Sequence, residues 1–165
     1  MKQVGFVGAF DKTDLIIYIA KILTVLGKRV LIADTTITQK AKYVVPALNP
    51  TLSYITEFEE IDIAVGFKNV EAIANYTNRS VDTLEYDYLL LDIDSAESAM
   101  NFRIDRSVQN FFVTSFDTYD IRRGIEILGQ FQTPIKMTKV LFSKEVSKED
   151  DEYLNYLSLG YKIIW

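Results

Sequence analysis

Val7-Gly8-Ala9-Phe10-Asp11-Lys12-Thr13-Asp14 is the stretch on which the reading of this chain turns. It follows an extended run, Lys2 to Val7, and opens a helical period from Thr13 to Leu26 that stops at Gly27. A second run, Arg29 to Ala33, then ends on Asp34. Strand, glycine-opened loop, helix and a nearly all-apolar second strand make a βα unit of a parallel sheet buried on both faces. Glycines in such a loop let backbone N–H groups point at an anion, with a lysine and a hydroxyl just beyond them. The same residues also suit a plain helix start with Asp11 as N-cap.

The alternation continues down the chain. Tyr86 to Asp92 and Gln109 to Thr114 read as strands, and Asp117 caps a helix through Gly129 with Ile121, Ile125 and Leu128 facing inward. Lys139 to Phe142 is the next strand; Ser147 and Asp150 form a capping box for a helix to Leu157, and Tyr161 to Trp165 is a last strand. Between Asp34 and Asn78 the pattern weakens. There Pro46 and Pro50 break any long element, Ile61 to Val65 alternates as a strand and Asn69 to Tyr76 is helical. The helix from Thr13 to Leu26 has Asp14, Lys21 and Thr24 on one side, so most of its circumference is expected to be covered. No helix follows the last strand, which leaves Ile163, Ile164 and Trp165 to a partner or to further chain. The expectation is one domain, 1–165, cut short at its C-terminus.

Composition removes many functions. The 165 residues include no cysteine and no histidine, which excludes disulfides, thiolate or imidazole metal sites, cysteine nucleophiles and the Ser-His triad. With 23 acidic against 18 basic side chains the net charge is −5, the wrong sign for a surface that binds nucleic acid or anionic lipid non-specifically. The run Val4 to Phe10 is broken by Asp11, Lys12 and Asp14 and lacks a cleavage site, so the expected location is cytoplasmic. Ten tyrosines, among them Tyr153, Tyr156 and Tyr161, read as packing residues, and the acidic run Glu149 to Glu152 as helix-start chemistry. Arg122 and Arg123 read as a solvated helix face.

Taken with Asp34 and with Tyr86-Asp87-Tyr88-Leu89-Leu90-Leu91-Asp92, the loop resembles the deviant Walker A motif, KGGxGK[ST], of the ParA/MinD family of P-loop ATPases. The resemblance implies an α/β three-layer sandwich with a mostly parallel central sheet. It implies a nucleotide site of Gly8, Lys12, Thr13, Asp34, Asp92 and Ser143, within which Thr13, Asp34 and Asp92 would hold Mg²⁺. The motif is incomplete. Aligned on Lys12-Thr13, the signature lysine falls on Val7, the second glycine on Ala9 and the last on Asp11. The water-positioning aspartate two residues after Asp34 is Thr36, and the adenine-reading asparagine is Ser143.

A resemblance with these gaps implies a degenerate, bacterial pseudo-ATPase without a working cofactor, similar to the TadZ/CpaE-type positioning proteins of pilus assembly. Its partners are then proteins: a second copy in a homodimer and a membrane-bound machine to which it is recruited, with no direct nucleic acid and no membrane insertion. Two alternatives stand beside it. One is an active ATPase that uses ATP and Mg²⁺ through an unorthodox loop. The other is a receiver-like phosphoacceptor domain with Lys144 after a late strand, although Gly8, Ala9 and Phe10 intervene where a receiver has its acidic pair.

Overall fold

The computed structural model describes residues 1–45 and 51–165, so the chain breaks expected at Pro46 and Pro50 lie outside the described residues. The strands are β1 Lys2–Val7, β2 Val30–Asp34, β3 Tyr54–Phe58, β4 Ile61–Val65, β5 Tyr88–Ile93, β6 Gln109–Ser115, β7 Ile135–Lys136, β8 Thr138–Phe142 and β9 Ile163–Ile164. The α-helices are α1 Thr13–Val25, α2 Val70–Tyr76, α3 Ala96–Asn101, α4 Thr118–Gly129 and α5 Lys148–Leu157. Seven strands form one sheet in the order β3-β4-β2-β5-β1-β6-β8, parallel throughout except for the β3–β4 hairpin. The expected mostly parallel sheet with helices on both faces is present. The receiver arrangement is not, because a receiver sheet sets β1 between β2 and β3, whereas here β5 and β6 flank it.

β2 is buried at every position and β5 at all but its first, as their continuous aliphatic sequences require of central strands. Helices α2, α3 and α4 supply Ile73, Ala96, Ala99, Ile127 and Leu128 to the core on one face of the sheet. On the other face, among the described residues, α1 is the one α-helix that contributes buried residues, Ile16 and Ala20, beside Phe6, Ile32, Leu90 and Val113. The expectation of an almost fully covered α1 is corrected here. Its outward side carries Tyr18, Ile22, Val25 and, just past its end, Leu26, all exposed.

The caps of α4 and α5 follow the sequence. Asp117 accepts from the Tyr119 amide at 2.8 Å, and Ser147 and Asp150 exchange both bonds of a capping box. Gly27, with φ of +76°, ends α1. At the C-terminus a second correction is needed. β9 pairs in parallel with β7, the Trp165 ring lies 5.8 Å from that of Phe112, and its Nε1 donates to Ser158 Oγ at 3.0 Å. The last strand is thus folded back on the core by its own chain; of the three residues expected to lie uncovered, Ile164 is the exposed one.

Candidate functional site

Parallel strands β1, β2 and β5 end side by side, so the loop after β1 and the carboxylates closing β2 and β5 meet at one edge, where open α/β sheets place ligands. Asp34 and Asp92 are register partners on adjacent strands, and both are buried. Gly8 passes β6 so closely that a Cβ would lie 2.1 Å from the Val113 carbonyl oxygen, and its φ of +143° is open to glycine alone. Packing therefore demands this glycine whatever the loop binds. Val7, at the place of the signature lysine, is the last strand residue and fully buried.

Lys12 is 2% exposed. Its ammonium donates to the carbonyls of Gly8 at 2.7 Å and Phe10 at 3.1 Å and lies 3.0 Å from Asp92 Oδ1. Burial drives the Asp92 carboxyl up to about 6; Lys12 opposes that rise, while Asp34 and Asp94 add to it. Asp34 is spent within its own segment. Its Oδ1 accepts from the Thr36 amide at 3.0 Å and hydroxyl at 2.6 Å, and its Oδ2 from the Ala41 amide at 2.9 Å. Thr36, standing where the family has its second aspartate, is thus a donor to the first.

At the mouth, Asp11 takes the Thr13 amide on Oδ1 at 3.2 Å and the Lys40 ammonium on Oδ2 at 2.7 Å. Partial burial pushes the Asp11 carboxyl up, but Lys40 and Thr13 outweigh it and hold it below the usual carboxylate value. The expected cap is displaced by one residue: Lys12 occupies the N-cap position of α1 without a side-chain cap, and Asp11 supplies the bond from the residue before it. Phe10, at the loop tip, stacks on Phe142 with centroids 4.6 Å apart, which pins the loop to the end of β8. Beyond Phe142, Ser143 is exposed and donates to the Glu145 carbonyl at 2.8 Å.

The loop from Ala9 to Thr13, together with Thr36 and Asp92, walls a cavity of about 270 Å³ that Gly8 does not line. Lys12, Thr13 and Asp92 line it; Asp34 lines a neighbouring cavity of about 470 Å³, and Ser143 lines neither. Six residues not expected here from the sequence also line the first cavity: Ile37, Thr38, Lys40, Asp94, Tyr119 and Arg123, of which Ile37 and Arg123 wall both. A signal for Arg123 was available, since Asp117 starts α4 at the same sheet edge and the first two turns of that helix face the loop. Asp94 accepts from the Ile37 amide at 3.0 Å through Oδ2, while its buried Oδ1 has no hydrogen-bond partner.

A magnesium-bound triphosphate does not fit these residues as they stand. The wall sets the carboxylates of Asp11, Asp92 and Asp94 against Lys12, Lys40 and Arg123, with Lys12 and Lys40 already paired to two of them. The lysine that would meet a phosphate is already bonded to the Gly8 and Phe10 carbonyls and to Asp92, so binding there would have to break those contacts. Among the described residues no group of three or more acidic side chains is gathered as a metal cage, and no helix is long and apolar enough to cross a membrane.

No protein-family model and no curated protein matches the chain. Solved structures do. A ParA family ATPase from Chlorobium tepidum TLS superposes with a TM-score of 0.66 at 13% identity, over 95% of this chain and 79% of that one. The pNOB8 ParA bound to nonspecific DNA gives 0.59 at 14% identity, over 100% and 80%. The MinC:MinD cell division protein complex of Aquifex aeolicus gives 0.55 at 15% identity, over 85% and 69%. The chain has the ParA/MinD-like P-loop fold.

Proposed function

We propose that this chain is a pseudo-ATPase on the ParA/MinD fold, which acts in the cytoplasm as a positioning or assembly factor through protein contacts. The observation that carries the reading is Lys12: the lysine that should reach for phosphate is buried against two loop carbonyls and Asp92. The surrounding substitutions agree with it. Asp11 is latched to Lys40 across the mouth, and Thr36 caps Asp34 where a carboxylate should orient water. Positioning and charge stabilisation supply nearly all of phosphoryl-transfer catalysis, so a site that has lost several such groups keeps little rate. Of the partner types named for its structural neighbours, protein in the MinC:MinD complex and DNA with pNOB8 ParA, the net charge of −5 favours protein. A homodimer and recruitment to a larger, membrane-bound machine complete the proposal.

The test is steady-state ATP turnover by the purified chain with Mg²⁺. The expected result is a rate at the no-enzyme background, equal in wild type and Lys12→Ala. Turnover that disappears in Lys12→Ala overturns the proposal in favour of an active ATPase with an unorthodox loop.

A further inference from the structure

We propose that α1 is a dimerisation surface on which a second copy of this chain packs its own α1 in antiparallel fashion, about a two-fold axis near Ile22. The proposal rests on the reading of this protein as one that works through protein contacts, and it names the surface. Tyr18, Ile22, Val25 and Leu26 are 72%, 62%, 76% and 66% exposed. Their spacing of i, i+4, i+7 and i+8 makes a continuous stripe along one side of the helix. Among the described residues no other α-helix adds buried residues to this face of the sheet, where Ala41 and Val44 of the segment after β2 join the same core as Ile16 and Ala20. Its polar flank is already engaged, with Lys21 Nζ 2.7 Å from Glu59 in the β3–β4 turn.

The stripe is complementary to itself. With the axis near Ile22, Tyr18 of one copy meets Val25 and Leu26 of the other, and Ile22 meets Ile22. Each copy carries an exposed Asp14 one turn ahead of Tyr18 and an exposed Lys28 just past Leu26, so an antiparallel pair brings unlike charges to each end of the contact and a parallel pair brings like ones. A chain of net charge −5 has reason to place such a pair at the rim of a contact with itself. Those four apolar residues alone offer on the order of 500 Å² per copy, about 1,000 Å² for the pair, which reaches the lower bound for a specific but reversible interface.

The chain has no cysteine, so single cysteines report the geometry without background. Sedimentation velocity on the full chain without nucleotide should show mass rising with concentration from 18.9 kDa to twice that value. Ile22→Glu, at a solvent-exposed position, should leave the circular-dichroism spectrum unchanged and abolish the dimer. Under mild oxidation Ile22→Cys should cross-link alone, and Tyr18→Cys should cross-link more in a mixture with Val25→Cys than by itself. Asp14→Lys should weaken the dimer at least threefold, and Asp14→Lys with Lys28→Glu should restore it. A wild type that stays monomeric at millimolar concentration overturns the proposal, as does a dimer that survives Ile22→Glu. Sedimentation of monomeric wild type with phosphatidylcholine/phosphatidylserine vesicles, lost in Ile22→Glu, would reassign the stripe to a membrane surface and overturn it too. None of these readouts involves ATP, so their failure leaves the pseudo-ATPase reading to its own assay.

Discussion

Replacing Lys12 by Met keeps most of the length of the side chain and removes its ammonium group, and it separates a structural lysine from a phosphate-binding one. Two losses follow. The first is independent of pH: the ammonium no longer donates to the Gly8 and Phe10 carbonyls, at about 1.5 kcal/mol or more for each hydrogen bond to a charged group. The second depends on pH through Asp92. Its carboxyl, raised by burial from 3.8 to about 6, binds a proton more readily folded than unfolded, so the wild type loses stability as pH rises from about 4 to about 6. At about 1.4 kcal/mol per pKa unit, the loss comes to about 3 kcal/mol and then levels off.

Without Lys12, Asp92 loses the partner that holds it down, and a buried carboxyl of that kind stays protonated to about pH 8. Lys12→Met therefore goes on losing stability above pH 6 where the wild type is flat. The gap between the two should be about 3 kcal/mol at pH 5 and about 2 kcal/mol larger at pH 8. Urea denaturation of both proteins across pH 4.5 to 8.5, followed by circular dichroism, measures it. Equal midpoints at every pH would refute the reasoning, because they would mean that Lys12 makes no net contribution to the fold and stands ready for a ligand.

Asp11→Gly should open the mouth of the cavity by releasing Lys40 and removing a carboxylate from the loop; the half-exposed ion pair is worth under about 1 kcal/mol, so stability should hardly move while Mg-ATP affinity measured by calorimetry rises. Binding that stays undetectable in Asp11→Gly would show that backbone shape closes the loop. Gly8→Ala should be severely destabilising, by about 3 kcal/mol or more in urea denaturation, since its Cβ would sit 2.1 Å from a backbone oxygen of β6. A stable Gly8→Ala would mean that the loop is free to move away from β6.

Much of this fold is legible because its central strands are runs of Val, Ile and Leu punctuated by Asp34, Asp92 and Gly27. The β3–β4 hairpin is not legible. Its turn is Glu59-Glu60, both at positive φ, where a sequence reading looks for Asn-Gly. The short α3 escapes for want of length. α1 misleads for a different reason: apolar residues all round a helix read as burial, but the same pattern arises when one side meets the sheet and the other is kept apolar for a partner. In the site, the family motif draws attention to Lys12, Thr13, Asp34 and Asp92, and three of these do share one cavity. Lys40, Asp94, Tyr119 and Arg123 reach that cavity from elements that the motif does not cover; the position of α4 after β6 hints at Arg123, and the other three are brought in by the folded chain. That Lys12 would turn to Asp92 rather than to Asp11 or Asp34 was decided by burial: Asp11 meets solvent and Lys40, while Asp34 is satisfied by its own loop.

The measurement that tests the account most directly is isothermal titration of the wild-type chain with Mg-ATP at pH 7.5, repeated with Lys12→Ala. No saturable heat is expected in either protein at nucleotide concentrations up to a few millimolar, because Lys12 is held by Gly8, Phe10 and Asp92 and Lys40 by Asp11. Micromolar binding by the wild type that vanishes in Lys12→Ala would contradict it.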